Sequence, residues 1–100
     1  MTKKLNIADI TRFPLKTEIL DNTPAAGDTT IYTAYGDPTK EGNLNEIVIQ
    51  RTVILADSPA VGDTDITDQW ATTALADQDQ LSFNKRWSLR ASYSYKYLKY

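Results

Sequence analysis

Two similar stretches of the chain decide the fold: residues 16–35 read KTEILDNTPAAGDTTIYTAY, and residues 51–70 read RTVILADSPAVGDTDITDQW. When the stretches are aligned at an offset of 35 residues, nine of the twenty positions are identical. About one or two identities would arise by chance at average residue frequencies. The longest shared run is Pro-Ala-x-Gly-Asp-Thr, at 24–29 and 59–64. The alignment therefore indicates an internal repeat of one structural unit.

Each copy of the repeat predicts two β-strands joined by a turn. Proline fixes its own φ, glycine allows a positive φ, and aspartate accepts hydrogen bonds from nearby backbone N–H groups. We therefore expect a hairpin, or an arch between two sheets, with matching backbone torsions in the two copies. The predicted structural turn residues are Pro24, Gly27, Asp28, Pro59, Gly62 and Asp63. A ligand-binding loop is the alternative interpretation of the same segments.

The residue pattern and the abundance of Thr, Tyr, Ile and Val predict strands near 12–20, 29–35, 45–56, 63–68 and 86–98. The 45–56 run is apolar on both faces in places, so we expect a central strand covered on both sides. Residues 37–43 are the clearest loop, and residues 68–76 are the candidate for a short helix. Together these elements predict a single, mainly β domain over 1–100. We expect a small sandwich or barrel of about five to six strands, built on the duplicated hairpin or arch unit, with at most one short helix.

The last predicted strand alternates aromatic and cationic residues. Because successive side chains of a strand point to opposite faces, one face would be apolar and aromatic and the other cationic. We expect the aromatic face to be buried in the core or against a neighbouring subunit. The residues predicted to make this contact are Trp87, Leu89, Tyr93, Tyr95, Tyr97 and Tyr100.

Charge is unevenly distributed along the chain. Residues 1–16 carry four bases and one acid, residues 17–80 carry two bases and twelve acids, and residues 81–100 carry five bases and no acid. The basic ends either fold back over the acidic middle of the same chain or meet the acidic middle of a neighbouring subunit. The C-terminal residues predicted to make these electrostatic contacts are Lys85, Arg86, Arg90, Lys96 and Lys99.

The residue types exclude much catalytic chemistry. The chain has no histidine and no cysteine, which removes Ser-His-Asp catalysis, thiol nucleophiles and the usual ligands of transition metals. It also lacks a glycine-rich phosphate loop. Asp63, Asp65 and Asp68 could offer oxygens to calcium, but the twelve-residue calcium pattern is missing. We therefore predict a non-enzymatic protein without a cofactor or a metal site.

A small, threonine-rich, cysteine-free β chain of this kind resembles bacteriophage virion components such as coat, head-decoration and tail subunits. The resemblance is one of composition. It implies a structural subunit that self-assembles or decorates a larger particle, with copies of itself or other virion proteins as partners. The N-terminal region has no apolar run of signal-peptide length, so we expect synthesis in the cytoplasm, a final location in the virion and no membrane partner.

Two other functions fit the same residues. Tyr32, Tyr35 and Trp70, together with the acidic loops, could form the surface of a small module that binds carbohydrate or protein. Alternatively, the basic and aromatic C-terminal residues could contact nucleic acid in a coat protein, although alternation would place Arg90 and Lys96 on the face opposite the tyrosines.

Overall fold

Five strands pair with one another in the order in which they occur along the chain. The computed structural model describes residues 14–37, 39, 42–73 and 79–99. The elements are β1 (Pro14–Asp21), β2 (Thr29–Gly36), β3 (Ile47–Ala56), β4 (Thr64–Thr72), a 3₁₀ helix (Trp87–Leu89) and β5 (Ser94–Lys96). Each strand runs antiparallel to its neighbours, and the order across the sheet is β1-β2-β3-β4-β5.

The predicted fold class is confirmed, since the protein is mainly β and two of its hairpins are the copies of the repeat. The sandwich or barrel arrangement is corrected, because the strands lie in one open sheet. Each described strand lies antiparallel beside the one before it, so the successive strands widen one sheet and do not form a second layer. Within the described ranges, β1 and β5 do not pair with each other, which leaves the sheet unclosed.

The two hairpin loops, 22–28 and 57–63, share the same backbone conformation at the positions that define them. Asn22 and Asp57 begin the loops with positive φ values of 59° and 54°, and Gly27 and Gly62 near their ends have φ values of 89° and 92°. The side chain of Asn22 accepts a hydrogen bond from the Gly27 N–H (3.1 Å), and Asp57 does the same for Gly62 (3.0 Å). Both X–Pro bonds in these loops are cis. The repeat in the sequence is therefore also a repeat in backbone structure.

The core lies at the end of the sheet where β2 leads into β3. Residues 47–49 are completely buried there. Ile47 and Ile49 pack on the face that carries Tyr32 and Tyr95, which we call the tyrosine face. Val48 packs beside Trp70 on the opposite, tryptophan face. The sheet is thus covered on both sides at the start of β3, its central strand, as the sequence predicted.

The segment after β4 supplies this cover on both faces. Three side chains, from Leu81, Phe83 and Leu98, pack on the tryptophan face, and two, from Trp87 and Tyr93, pack on the tyrosine face. The chain passes from one face to the other at Lys85, whose backbone N–H donates to the Ile47 carbonyl (2.9 Å). The Ile47 N–H donates in return to the Lys85 carbonyl (3.1 Å). Lys85 therefore continues the sheet beside β3, beyond the point where β4 has ended.

The predicted strand at 86–98 is wrong for most of its length, because only Ser94–Lys96 is a strand. The Arg90 N–H donates to the Trp87 carbonyl (3.1 Å) and the Ser92 N–H to the Leu89 carbonyl (2.8 Å), so the chain turns before it reaches β5. The turn carries Arg90 back over the Trp87 ring. The alternating sequence had suggested one continuous face, but the turn sends its residues to different parts of the surface.

The predicted helix at 68–76 is also corrected, because β4 continues through Thr72. Trp70 and Ala71 are both buried, and they lie on opposite faces of the sheet. A strand buries two adjacent side chains in this way, whereas a helix would need them on one face. Residues 74–78 of the predicted helix lie outside the described part of the chain.

Candidate assembly surface

Four isoleucines form a continuous apolar stripe on the tryptophan face, at the end of the sheet away from the core. Ile19 of β1 lies directly opposite Ile31 of β2, and Ile54 of β3 lies directly opposite Ile66 of β4. Ile31 and Ile54 are diagonal neighbours, because Ile31 pairs with Thr52 and Ile54 with Thr29. We call this set the isoleucine stripe. Side chains that pair directly or diagonally on one face are close enough to touch.

The ends of the isoleucine stripe are open to solvent. Ile19 is 62% exposed and Ile66 is 59% exposed, while Ile31 and Ile54 are half-buried. Among the described residues, the C-terminal segment packs on the tryptophan face around Val48, at the core end. Apolar surface of this kind, grouped on one face, is typical of a contact with another molecule.

Two strand edges are open in the described part of the structure. β1 has a neighbour only on its β2 side. β4 is paired with β5 only from Trp70 to Thr72, which leaves its outer edge over residues 64–69 without a strand beside it. Exposed edges carry unpaired N–H and C=O groups and are ready to accept a strand from another chain.

On the tyrosine face, Arg90 fastens the C-terminal segment to β1. Its guanidinium group donates two hydrogen bonds of 2.8 Å to the two carboxylate oxygens of Glu18 and lies 4.7 Å from the centre of the Trp87 ring. Those two hydrogen bonds hold the pKa of Glu18 below its ordinary value. The hydroxyl of Tyr95 donates to the Arg90 carbonyl (2.5 Å), and burial raises the pKa of Tyr95 well above its ordinary value. Arg90, Glu18 and Tyr95 therefore make contacts within the chain, and these contacts stabilise the fold.

At the crossing point between the faces, Lys85 is completely buried and lies beside Asp79. Its Nζ donates to the carbonyls of Ser82 (3.1 Å) and Asp79 and is 3.9 Å from the Asp79 carboxylate. Burial lowers the pKa of Lys85 to about 8, against the opposing attraction of Asp79. Burial also acts to raise the pKa of Asp79, but hydrogen bonds from Thr72 and Thr73 outweigh it and hold that pKa well below its usual range. The contacts of Lys85 with Asp79 and Ser82 therefore lie where the chain passes from one face of the sheet to the other.

The aromatic residues predicted to form one contact face are divided among several locations. Tyr95 is buried in the core, 8% exposed, with its ring 5.9 Å from that of Tyr32. Trp87 and Tyr93 are half-buried around it, whereas Leu89 and Tyr97 are exposed. Tyr100 lies outside the described residues. The structure therefore brings together Trp87, Tyr93 and Tyr95, in the core of this chain.

The predicted electrostatic residues are similarly divided. Lys85 and Arg90 bond within the chain, to Asp79 and Glu18, as in the interpretation that the basic C-terminal end folds over the acidic middle. Arg86 is half-buried, while Lys96 and Lys99 are exposed.

The aromatic surface suggested for a carbohydrate or protein ligand does not form. Trp70 is 2% exposed and Tyr32 is 8% exposed. Tyr35 is half-buried, 5.9 Å from the Trp70 ring, and its hydroxyl donates to Gln50. The rings pack in the cores on the two faces of the sheet, Tyr32 on the tyrosine face and Trp70 with Tyr35 on the tryptophan face. They therefore offer little surface to a ligand.

The six predicted turn residues do lie in matching places. Pro24 and Pro59 follow the first residues of the two loops, and Gly27 and Gly62 have the positive φ that glycine favours. Asp28 and Asp63 close their loops through matched hydrogen bonds, in which their N–H groups donate to the carbonyls three residues earlier (3.0 Å in each loop).

The isoleucine stripe was not identified from the sequence, although a signal was present. Ile19 and Ile54 are equivalent positions of the repeat, and so are Ile31 and Ile66. The repeat alone did not reveal that these residues share an uncovered face, because it gives neither the strand register nor the extent of the C-terminal cover.

No protein-family model, curated protein or solved structure matches this chain. Among the described residues, no group of three or more acidic side chains is arranged to hold a metal ion. No helix in these parts of the chain is long and apolar enough to cross a membrane.

Proposed function

We propose that this chain is a non-enzymatic structural subunit that associates with copies of itself in a larger particle. The observation that carries the proposal is the isoleucine stripe, an apolar patch with exposed ends on a face that the described C-terminal residues cover at the core end. The open edges of β1 and β4 support the same function, because both are ready to pair with strands of other molecules.

The free energy available from the stripe is large enough to matter. Full burial of an isoleucine side chain contributes about 1.5 to 3 kcal/mol, so covering the exposed parts of Ile19 and Ile66 contributes about 1 to 2 kcal/mol for each residue. Repetition of the contact in an assembly multiplies this contribution. Contacts that are individually weak can therefore hold a particle together when every subunit makes several of them.

Within this function, we assign the chain to a bacteriophage virion, as a coat, head-decoration or tail component. Support comes from the likeness in composition: a small, threonine-rich, cysteine-free chain, mainly β in structure and without histidine. Copies of the same chain and other virion proteins are the proposed partners.

The test is size-exclusion chromatography with light scattering over a range of protein concentrations, followed by electron microscopy of the largest species. We expect masses well above the 11.2 kDa of one chain. The double substitution Ile19→Thr with Ile66→Thr should shift the protein toward the monomer. Val61→Thr is the control, because Val61 is 92% exposed in the 57–63 loop and is not one of the four residues of the stripe.

Two results would count against the proposal. One is a parent protein that stays monomeric at every concentration. The other is an equal effect of the stripe substitutions and the Val61 control, which would mean that general loss of apolar surface matters and the stripe does not.

A further inference from the structure

β1 is an edge strand whose charges are arranged to match a second copy of itself. Lys16 and Glu18 lie two residues apart and pair with Ala34 and Tyr32 of β2, so both are on the tyrosine face. When a second β1 runs antiparallel and Thr17 is opposite its own equivalent, each Lys16 lies directly opposite the partner's Glu18. Directly opposed side chains of antiparallel strands have Cβ atoms about 4.5 to 5.5 Å apart, close enough for an ion pair.

The other open edge does not offer this match. Residues 64–69 of β4 contain Asp65 and Asp68 and no base. Whatever the register, a second copy of this edge adds two further acids and no base that could oppose them. If the β4 edge of one copy pairs with β1 of another, the contact contains one base, Lys16, and four acids, two from each strand. Charge therefore favours β1 against β1 over the other two combinations.

We propose that two copies of this chain pair through β1, antiparallel and about a twofold axis at Thr17, so that two five-stranded sheets become one sheet of ten strands. This inference rests on the proposed function, since it names the partner and the first contact of the assembly. The pairing gives the outer edge of β1 the backbone hydrogen bonds that it lacks within the described residues. It also places the isoleucine stripes of both copies on the same face, with the two Ile19 residues flanking the axis.

The contacts already made by Lys16 and Glu18 are compatible with this pairing. The Glu18 side chain is 32% exposed while its two oxygens accept hydrogen bonds from Arg90, so a second cation can still approach it. Lys16 is half-buried as a residue, and its ammonium group lies 5.6 Å from the centre of the Trp87 ring. In the paired state, Arg90, Glu18 and the partner's Lys16 form one charged network on the tyrosine face.

The absence of cysteine makes a direct test possible, because any introduced cysteine is the only thiol in the chain. In the proposed pair, the Thr17 residue of one copy faces that of the other at a Cα separation of about 4.5 to 5.5 Å, within the range that a disulfide spans. Thr17→Cys should therefore cross-link to a covalent dimer under mild oxidation. Thr33→Cys is the matched control, since Thr33 pairs with Thr17 but lies on β2, one strand inside the edge. Thr67→Cys probes the β4 edge.

A charge reversal gives an independent readout. Lys16→Glu should weaken dimerisation about tenfold, because two favourable pairs become two repulsive ones. The double variant Lys16→Glu with Glu18→Lys restores opposite charges across the axis. Because Glu18→Lys also removes the pair with Arg90, the reference is Glu18→Lys alone, and the double variant should dimerise more strongly than this reference. Circular dichroism of each variant checks that the fold is retained, and any variant that unfolds is replaced by Lys16→Gln, for which we expect a smaller loss of the same sign.

The outcomes separate this inference from the function on which it rests. Self-association without a cross-link from Thr17→Cys, or with preferential cross-linking from Thr67→Cys, overturns the β1 pairing and leaves the assembly function standing. A protein that does not self-associate overturns both. Cross-linking from Thr17→Cys but not from Thr33→Cys, together with rescue by the double charge reversal, supports both.

Discussion

Glu18 and Arg90 are 72 positions apart in the chain and are joined by two parallel hydrogen bonds of 2.8 Å. The contact connects the first strand to the turn that precedes the last one. The Arg90 guanidinium group also lies over the Trp87 ring, so the charged pair is in contact with the aromatic core. The planar guanidinium group suits this position because it can bind a carboxylate with two nitrogens and lie flat against a ring at the same time.

We predict that Arg90→Ala lowers the free energy of unfolding by about 2 kcal/mol, and that Glu18→Gln lowers it by about 1 kcal/mol. The alanine variant loses both the ion pair and the contact with the Trp87 ring, whereas the glutamine variant retains the ring contact. Urea unfolding at pH 7, repeated at two protein concentrations, measures the difference. Arg90→Lys is the control, because it keeps the charge but cannot form both hydrogen bonds. Stability equal to that of the parent in Arg90→Ala would show that this contact contributes nothing.

The two hairpin loops provide an internal control for the role of a single aspartate. Asp28 is buried, and its carboxylate accepts a hydrogen bond from the Ala56 N–H (3.0 Å), which ties the first loop to β3. Asp63, at the equivalent place in the second loop, is exposed. We predict that Asp28→Ala costs about 1 to 2 kcal/mol, because it leaves the Ala56 N–H without this partner, and that Asp63→Ala costs under about 0.5 kcal/mol. Thermal unfolding of the two variants side by side checks the prediction, and equal costs would contradict it.

We predict that the free energy of unfolding depends on pH in the alkaline range because Lys85 is buried. The folded pKa of Lys85 is about 8, below its ordinary value of 10.5. Between these two pH values, the unfolded chain keeps a proton that the folded protein has released. Stability therefore rises with pH across this window through Lys85, by about 3 kcal/mol. Tyr95 acts in the opposite direction above about pH 10, because its raised pKa keeps the folded protein protonated after the unfolded chain has ionised.

The measurement is urea unfolding from pH 7 to pH 10, compared between the parent and Lys85→Met. Methionine preserves much of the buried volume and does not titrate, so the difference between the two proteins isolates the contribution of Lys85. We expect the parent to gain stability relative to the methionine variant as pH rises. Parallel curves for the two proteins over the whole range would show that folding does not lower the pKa of Lys85.

The hairpins and the central strand could be predicted from local sequence. Pro24, Gly27 and their equivalents impose backbone conformations within a few residues, so the 35-residue repeat became a structural repeat. Residues 47–49 are all apolar, and a strand with apolar residues on both faces must be covered on both sides. The residue types also determined which chemistry was excluded, because a chain without histidine or cysteine lacks those side chains in any fold.

Only the tertiary structure decided where each strand ends and which surfaces stay open. Arg90, in the turn before β5, is held by Glu18, and the last residues of β4 pair with β5, so both places depend on residues far away in sequence. Tyr95 and Tyr97 are spaced as if on one face, yet one is 8% and the other 60% exposed. The uncovered isoleucine stripe has the same origin: cross-strand register brings Ile19, Ile31, Ile54 and Ile66 together, and the C-terminal cover ends before it reaches them. Local pattern specifies the conformation of a segment, whereas burial depends on which distant segment packs against it, and that is determined only when the whole chain has folded.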